Sequence, residues 1–355
     1  ERFGILLKNE LISQSNSLQR RGRAGRTKEG KYYPMITEEK WEDIDTNDSS
    51  DMDRLSPYGI VLELLNEQLP ARSILQINSE KYDRIINKLL SLKLMTESGE
   101  DGEKTYHITQ LGRAVQQYPF SLENSIVAFK SSSSVTGSGQ DHIRTIVTLI
   151  LVSMIEGSQG NSFFWIPKEH RKNKNMYKEF MEDQFGHMKG SNDLETYLYI
   201  FSSMFHEPKS HKDAAVAKWA KTNSMNNKLL KNARRNFSQL IRITYPKYRG
   251  YAEDFLENML EQNGIHNLAQ LVRDDVLSPV YELFEDVYSD CVFNDPEEGM
   301  YGIAYHNNAE VPLSHKIDTM RSFSRLSTNV AHGVVALQVV ESVYGLTTNR
   351  YISCV

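Results

Sequence analysis

The residues of this chain best suited to chemistry form one dense basic run, Gln19–Arg26, which contains four arginines and a glutamine. Arginine is permanently charged and presents a rigid fork of donors, so such a cluster can hold a phosphate chain while charge builds up during transfer. Arg20, Arg23 and Arg26 recur every three residues. At the start of a helix this spacing would place several side chains on one face, aimed at one ligand. The polar run Ser13–Ser17 before the cluster predicts a loop, and residues 30–33 after it predict a short strand.

A solvated basic turn, or a nucleic-acid or nuclear-import patch, is the simpler interpretation of a charge run. The spacing favours the more specific one, because the run matches every fixed position of the pattern Gln-Arg-x-Gly-Arg-x-Gly-Arg. It therefore resembles motif VI of superfamily 2 helicases, in which Gly22 is a fixed position and Arg21 a variable one. For Arg21 we prefer simple solvation.

The resemblance implies a role for each matched side chain at an ATP site between two RecA-like domains. Gln19 would orient the attacking water, Arg23 and Arg26 would reach the γ-phosphate as arginine fingers, and Arg20 would support the cluster. Ser13, at the start of the family's Ser-x-Ala-Ser-Ala segment, would shape the same edge. Phosphoryl transfer requires positioning and charge stabilisation more than covalent chemistry.

Residues 25–31 also spell Gly-x-x-x-x-Gly-Lys, the skeleton of a phosphate-binding P-loop. Tyr32 follows where a metal-binding hydroxyl is required, so we reject this interpretation. We expect the true P-loop, the acidic box that holds Mg²⁺ and the first RecA-like domain to lie upstream of residue 1. ATP and Mg²⁺ would then be bound mainly by that missing domain, and this chain alone would be inactive.

Downstream segments sharpen the resemblance to the DEAH/RHA branch of the superfamily. Apolar spacing predicts a helix over 79–94, with Ser79 as its N-cap, followed by a small hairpin between residues 95 and 109. The run Leu111-Gly112-Arg113 and the later Tyr118-Pro119-Phe120 are similar to the signature after motif VI in that branch. The implied fold of this segment is a winged-helix domain.

Helical periodicity returns at 141–156, 192–206, 213–222 and 226–243, with a Ser/Gly-rich loop predicted at 131–140. The family has an all-helical ratchet domain here, and Leu230–Leu240 resembles one of its helices, although the histidine of another is absent. Lys231, Arg234 and Arg235 are candidate contacts to a nucleic-acid backbone, and a solvated helix face is an equal alternative.

Beyond two further helices, which we expect to end before Pro279, the pattern turns to strands at 287–288, 292–293, 302–305, 334–344 and 351–355. The ending 345–352 resembles that of the family's OB-like domain. We expect a multidomain, mainly α fold with α/β and β parts: the partial α/β end of a RecA-like domain (1–50), a winged-helix domain (51–122), a helical ratchet bundle (123–245), and connecting helices with an OB-like β-barrel (246–355).

Composition excludes several other classes of protein. No apolar run is long enough for a membrane span, the two cysteines are too few for a disulfide framework, and the histidines show no metal-binding spacing, so we expect no metal site on this chain. The net charge of −5 argues against binding nucleic acid by bulk electrostatics, but local basic regions matter more than the sum.

The expected function is therefore an ATP-dependent helicase that translocates on single-stranded RNA, or also DNA, and unwinds duplexes. An activating protein on the winged-helix or OB-like surface and an intracellular, cytoplasmic or nuclear location are further expectations. Divergence from cellular members favours a viral or fast-evolving source, such as a large DNA virus. The alternative is a non-catalytic nucleic-acid or protein-binding module that retains a motif VI remnant.

Overall fold

The fold is described by a computed structural model for most of the chain, with gaps that are longest near the C-terminus. The described residues are 5–8, 12–47, 57–99, 104–133, 139–159, 161–171, 173–288, 292–294, 303–306, 309–312, 334–344 and 347–354.

The chain divides into two compact units, a smaller one of Leu7–Ile108 with Val343–Leu346, and a larger one that contains the rest. Strand β1 (Ile5–Lys8) crosses the boundary in the chain. The smaller unit then contains α1 (Gln14–Arg21), α2 (Glu38–Asp43), α3 (Tyr58–Asn66), α4 (Ala71–Ile74), α5 (Ser79–Ser91), β2 (Met95–Ser98) and β3 (Thr105–Ile108).

Helix α5 and the hairpin behind it agree closely with the sequence prediction. The helix buries Ile85, Ile86 and Leu89, and β2 pairs with β3 in antiparallel register. The predicted N-cap was wrong by one residue, because the side chain of Asn78 accepts a hydrogen bond from the backbone N–H of Lys81 at 2.8 Å. The hairpin is confirmed, and the winged-helix assignment stays a prediction.

The larger unit is mainly helical, with a few strands near its end. Its elements are α6 (Gln110–Val115), α7 (Leu122–Ser133), α8 (Gly139–Ser158), α9 (Lys168–Arg171), α10 (Lys174–Phe185), α11 (Asp193–His206), α12 (Asp213–Thr222), α13 (Asn227–Thr244), α14 (Ala252–Gln262), α15 (Asp274–Val287), β4 (Val292–Asn294), β5 (Ile303–His306), β6 (Ala309–Pro312), β7 (Val334–Tyr344) and β8 (Thr347–Cys354). The last two residues of β7 belong to the smaller unit.

Helix α8 lies at the centre of this unit and packs closely against α13. A Cβ atom added at Gly157 would lie 2.7 Å from both the Cα and the Cβ of Ala233, closer than two such atoms approach. Only glycine opposite alanine allows the backbones of the two helices to come this near. The buried hydroxyl of Ser153 on α8 donates to the Ile150 carbonyl at 2.6 Å, so it is not left unsatisfied.

Pro279 lies inside α15, where we had expected it to follow the helix. Proline lacks an N–H and so leaves the carbonyl four residues earlier without its helical donor. That carbonyl belongs to Asp275, and it accepts a hydrogen bond from the Arg144 guanidinium on α8 at 3.0 Å. The tertiary contact therefore replaces the missing backbone bond.

The predicted strand at 287–288 is also wrong, because both residues complete the end of α15. Val287 and Tyr288 are buried with Phe284, three and four residues earlier, which is helical spacing. Tyr288 donates its hydroxyl to the Asn124 side chain at 2.8 Å. Of the loop predicted at 131–140, residues 131–133 belong to α7 and residues 139–140 to α8, and residues 134–138 lie outside the described ones.

The later strands fall close to their predicted positions, and β7 spans the predicted range of 334–344. Strand β4 pairs antiparallel with β5 and with β7, β5 pairs antiparallel with β6, and β8 pairs with β7. An OB-like barrel built from them stays a prediction. None of the described helices combines the length and apolarity required to cross a membrane.

Candidate functional site

Helix α1 carries the arginine cluster, and its first turn is fixed by hydrogen bonds. The Ser13 hydroxyl accepts from the Asn16 backbone N–H at 3.2 Å, and Ser13 is only 4% exposed. The residues predicted to form a polar loop before the cluster are therefore the start of a helix. A serine before a helical segment is a favoured N-cap, which is the signal that the loop prediction missed.

The segment after the cluster returns to the start of α1 and holds it. The backbone N–H groups of Gln14 and Ser15 donate to the carbonyls of Asp45 and Thr46, both at 2.9 Å. The Gln14 side-chain amide also donates to the Trp41 carbonyl at 2.8 Å. These bonds satisfy donors that a helix start leaves free, so the first turn of α1 cannot serve as an anion site.

A third contact joins the middle of α1 to the same return segment. The hydroxyls of Ser17 and Tyr32 are 2.7 Å apart, and Ser17 is buried. Residues 30–33, predicted as a strand, have no regular secondary structure. Sequence reasoning missed Ser17 and Tyr32 as positioning residues, because their contact spans a loop that no local pattern predicts.

The cluster lies at the C-terminal end of α1, which corrects the expectation of a helix start. Gln19, Arg20 and Arg21 form the last turn, and Gly22 caps it with its N–H donating to the Leu18 carbonyl at 2.9 Å. A helix C-terminus favours positive charge. Any anion bound here would therefore be held by side chains and not by free backbone N–H groups.

Arg23 and Arg26 follow in a tight loop beyond the helix. The N–H of Arg23 donates to the Arg20 carbonyl at 3.0 Å, and Gly25 has a φ of 80°, a left-handed conformation that favours glycine. The Arg26 Nε donates to the Gly22 carbonyl at 3.2 Å. The structure thus brings Gln19, Arg20, Arg23 and Arg26 into one helix end and its loop.

All residues of the cluster are exposed, and their charges are not neutralised locally. Within the part of the chain that the structure describes, no carboxylate forms an ion pair with Arg20, Arg21, Arg23 or Arg26. Four guanidinium groups so close together repel one another, and the attraction of a bound anion would offset that repulsion. The arrangement is suited to binding a polyanion such as a chain of phosphates.

The three candidate nucleic-acid contacts on α13 have different surroundings. Arg234 is 15% exposed and its guanidinium lies 2.9 Å from an oxygen of Asp213 and 2.9 Å from one of Glu253. It also donates to the His211 carbonyl. Arg234 therefore links α13 to the start of α12 and to α14, and its charge is already balanced.

Lys231 and Arg235 remain accessible on the same helix. Lys231 lies 3.3 Å from Asp213, but both side chains are 65% exposed, and a surface pair of this kind is weak. Arg235 is exposed and contacts the amide oxygen of Asn232 at 3.1 Å. These two side chains can accept a phosphate partner without breaking a buried ion pair.

Two histidines near this network, His206 and His211, have specific partners. The His211 ring lies 2.9 Å from Glu257 and stacks on Phe205 with ring centroids 4.6 Å apart. The Nε2 of His206 accepts the Leu268 N–H at 3.2 Å, which requires an unprotonated nitrogen. Desolvation, with a smaller contribution from His211, lowers the pKa of His206.

Comparison with known proteins finds sequence similarity to an RNA helicase. No family model matches the chain. The chain is 28% identical over 130 residues to the ATP-dependent RNA helicase DHX33 of Drosophila melanogaster. The similarity covers 36% of this chain and 18% of that protein, so the chain spans less than a fifth of its relative's length.

Among solved structures, the chain is similar to the crystal structure of the E. coli DExH-box NTPase HrpB, with a TM-score of 0.48 and 12% identity. The similarity covers 96% of this chain and 30% of that one, and likeness at this level does not establish a shared fold. The sequence comparison supports a relationship to DEAH-type superfamily 2 helicases, the class that the arginine motif resembles. Neither comparison supports a viral source.

The contacts of Arg234 generate a first prediction. Replacing Arg234 with glutamine leaves the largely buried carboxylate of Glu253 without its cation, so we expect a loss of roughly 2–4 kcal/mol in the free energy of unfolding. Denaturant unfolding of the purified chain measures this loss. Arg235→Gln is the matched control, and we expect it to change the free energy of unfolding by less than about 0.5 kcal/mol. Equal effects of the two changes would contradict a structural role for Arg234.

Proposed function

We propose that this chain is the C-terminal part of a DEAH/RHA-type helicase that hydrolyses ATP to translocate along single-stranded RNA and unwind duplexes. In this proposal Gln19–Arg26 forms one half of an ATP site, and an upstream helicase domain supplies the other half. DNA is a second candidate strand, because the proposed backbone contacts do not distinguish the two nucleic acids.

The observation that carries the proposal is the complete match to the motif VI pattern on an exposed helix end with unneutralised arginines. A solvated basic turn would not require Gln19 or Gly22 at these spacings. A phosphate chain does require several forked donors that converge from one loop. The relationship to a DEAH-type helicase, found over 130 residues, supports the same class.

Within the proposed site, each side chain has a distinct task. Arg23 and Arg26 contact the γ-phosphate and stabilise the charge that spreads over its oxygens in the transition state. Gln19, on the last turn of α1, orients the attacking water. Arg20 adds positive charge beside them, and Ser13 acts indirectly, since its buried hydroxyl is used to cap the helix.

The proposal assigns the remaining ATP ligands to the upstream domain. Mg²⁺, when bound, supplies charge neutralisation between the phosphates. Among the described residues, no group of three or more histidine, cysteine, aspartate or glutamate side chains is placed to hold a metal ion. The ligands of Mg²⁺ would therefore come from the acidic box of that domain.

For the nucleic acid, Lys231 and Arg235 are the proposed contacts on α13, and both would bind the strand through its phosphates. Arg234 is assigned to positioning α13, because its charge is already paired with Asp213 and Glu253. An activating protein that binds the winged-helix or OB-like segments is a further part of the proposal.

The arginine fingers can be tested by substitution in the full-length protein that carries the upstream domain. We expect Arg23→Ala and Arg26→Ala each to lower kcat for ATP about a thousandfold, because each removes charge stabilisation from the transition state. Steady-state hydrolysis with saturating RNA measures the loss. Arg21→Ala is the matched control in the same run, and we expect it to keep activity within about threefold.

Gly22 provides an independent test, because nothing in the part of the chain that the structure describes requires glycine there. Its φ is −64°, which any residue adopts, and an added Cβ would make only ordinary contacts, the nearest 3.4 Å from the Gln19 carbonyl oxygen. The proposed reason for this glycine is the close approach of nucleotide or of the upstream domain. We expect Gly22→Ala to leave the unfolding of the isolated chain within about 0.5 kcal/mol of wild type and to weaken ATP hydrolysis by the full-length protein.

Two outcomes bear against that account of Gly22. Normal ATP hydrolysis by the Gly22→Ala protein would show that no ligand or domain comes close to this position. A large loss of stability in the isolated chain would give the glycine a purely local role. Gly25→Ala serves as the contrasting variant, because the φ of 80° at that residue makes alanine strained in the chain by itself.

A further inference from the structure

The segment Phe163–Ile166 presents a single large aromatic side chain to solvent. Trp165 is 54% exposed, whereas Phe163, Phe164 and Ile166 on either side of it are buried. Tryptophan has the largest apolar surface of any side chain, and leaving half of it in water costs folding energy. Packing within the larger unit does not explain why the Trp165 side chain is exposed.

The backbone at Trp165 is held in place by a short β-bridge. Phe164 pairs with Met225, the Trp165 N–H donates to the Ser224 carbonyl at 2.7 Å, and the Asn226 N–H donates to the Phe163 carbonyl at 2.7 Å. An exposed aromatic ring on a fixed backbone loses little conformational freedom when a flat ligand stacks on it.

The segment opposite Trp165 connects α12 and α13, and lysines occupy both helix ends. Lys221 lies three residues before Ser224, and Lys228 lies four residues after it. Both are exposed, and neither forms an ion pair with any residue that the structure describes. Lys228 is in the first turn of α13, where the helix dipole disfavours positive charge, so its position does not serve the stability of the helix.

The charged residues in the sequence around the α12–α13 connection are all basic. Residues 214–252 contain nine lysines and arginines and no aspartate or glutamate. The carboxylates that directly border that range in sequence are Asp213 and Glu253, and both pair with Arg234. The α12–α13 connection therefore attracts anions, and the nearest acidic groups are already engaged.

An apolar protein partner fits this surface less well than a nucleic acid. Between residues 109 and 288, within the described part of the chain, the exposed large hydrophobic side chains are Trp165, Met176 and Tyr251, which do not form a continuous run. A lone aromatic ring among lysines matches the design of single-strand binding surfaces, in which bases stack on rings and cations follow the phosphates.

We infer that Trp165 is a stacking platform for one base of a single-stranded nucleic acid, with Lys221 and Lys228 binding the adjoining phosphates. This inference rests on the proposed function and deepens it by naming where the strand is held outside the ATP site. Stacking on an aromatic ring tolerates any base, so the platform suits an enzyme that moves along a strand regardless of sequence.

The test uses the purified 355-residue chain and a fluorescein-labelled twelve-nucleotide oligouridylate. Fluorescence anisotropy gives the Kd, and an unlabelled strand quenches tryptophan emission when a base stacks on the ring. We expect Trp165→Ala to raise the Kd between roughly five- and a hundredfold and to remove the quenching, and Trp165→Phe to retain most of the affinity. Tyr33→Ala, which removes an exposed aromatic ring from the smaller unit, is the matched control.

The contribution of the two lysines to binding is measured separately, through the salt dependence of the Kd. We expect Lys221→Gln and Lys228→Gln each to lower the slope of log Kd against log salt by about 0.7, the value for one phosphate contact on a single strand. Thermal melting of every variant verifies folding, which exposed side chains of this kind should not affect.

The outcomes separate this inference from the proposed function. If Trp165→Ala binds within twofold of wild type with quenching intact, the platform is wrong while nucleic-acid binding by the chain stands. If the wild-type chain does not bind the oligouridylate, the platform is also wrong, and ATP hydrolysis by the full-length protein then decides the proposed function.

Discussion

The close contact between α8 and α13 at Gly157 and Ala233 determines the geometry of the larger unit. A Cβ at Gly157 would lie 2.7 Å from Ala233, so the two backbones meet with no side chain between them. This contact fixes α13, and α13 in turn carries Lys231, Arg234 and Arg235. The start of the same helix follows the β-bridge that holds Trp165. The proposed roles of these three residues and of Trp165 therefore depend on α13, whose close packing against α8 requires two small residues.

In the smaller unit, the polar groups at the two ends of α1 have different surroundings. At the start of α1, backbone donors are paired with the return segment at Asp45 and Thr46, and Ser13 and Ser17 are buried and hydrogen-bonded. At its end, four guanidinium groups are exposed with no carboxylate partner among the described residues. Arginines that served only solubility would not require a helix whose start is held by so many hydrogen bonds. In our proposal, the hydrogen-bonded start of α1 positions the helix, and the arginines at its C-terminal end form the binding surface.

Sequence reasoning succeeded where the information was local. The periodicity over 213–222 predicted a helix that the structure places at Asp213–Thr222, and the hairpin behind α5 followed from short strand-like runs around a glycine-bearing loop. Local patterns failed where tertiary contacts decide the outcome. Pro279 sits inside a helix because Arg144, far away in the chain, donates to the carbonyl that the proline leaves free.

The candidate site shows the same limit. The motif predicted which side chains form the cluster, but not that they follow the end of α1, because Ser13–Ser17 was interpreted as a loop. For Arg234, the sequence indicated a basic helix face and could not reveal the two carboxylates that hold it, which come from positions 21 and 19 residues away. Charge pattern alone cannot distinguish a residue that binds a phosphate from one that joins helices.

We propose that this chain holds only half of an ATP site, and hydrolysis of ATP by the isolated chain is the decisive test. Phosphate release should be measured for the purified 355-residue chain and for the full-length protein, each with and without oligouridylate. We expect no turnover by the chain alone under either condition, and RNA-stimulated turnover by the full-length protein. RNA-stimulated ATP hydrolysis by the isolated chain would contradict it, because the chain would then contain a complete site.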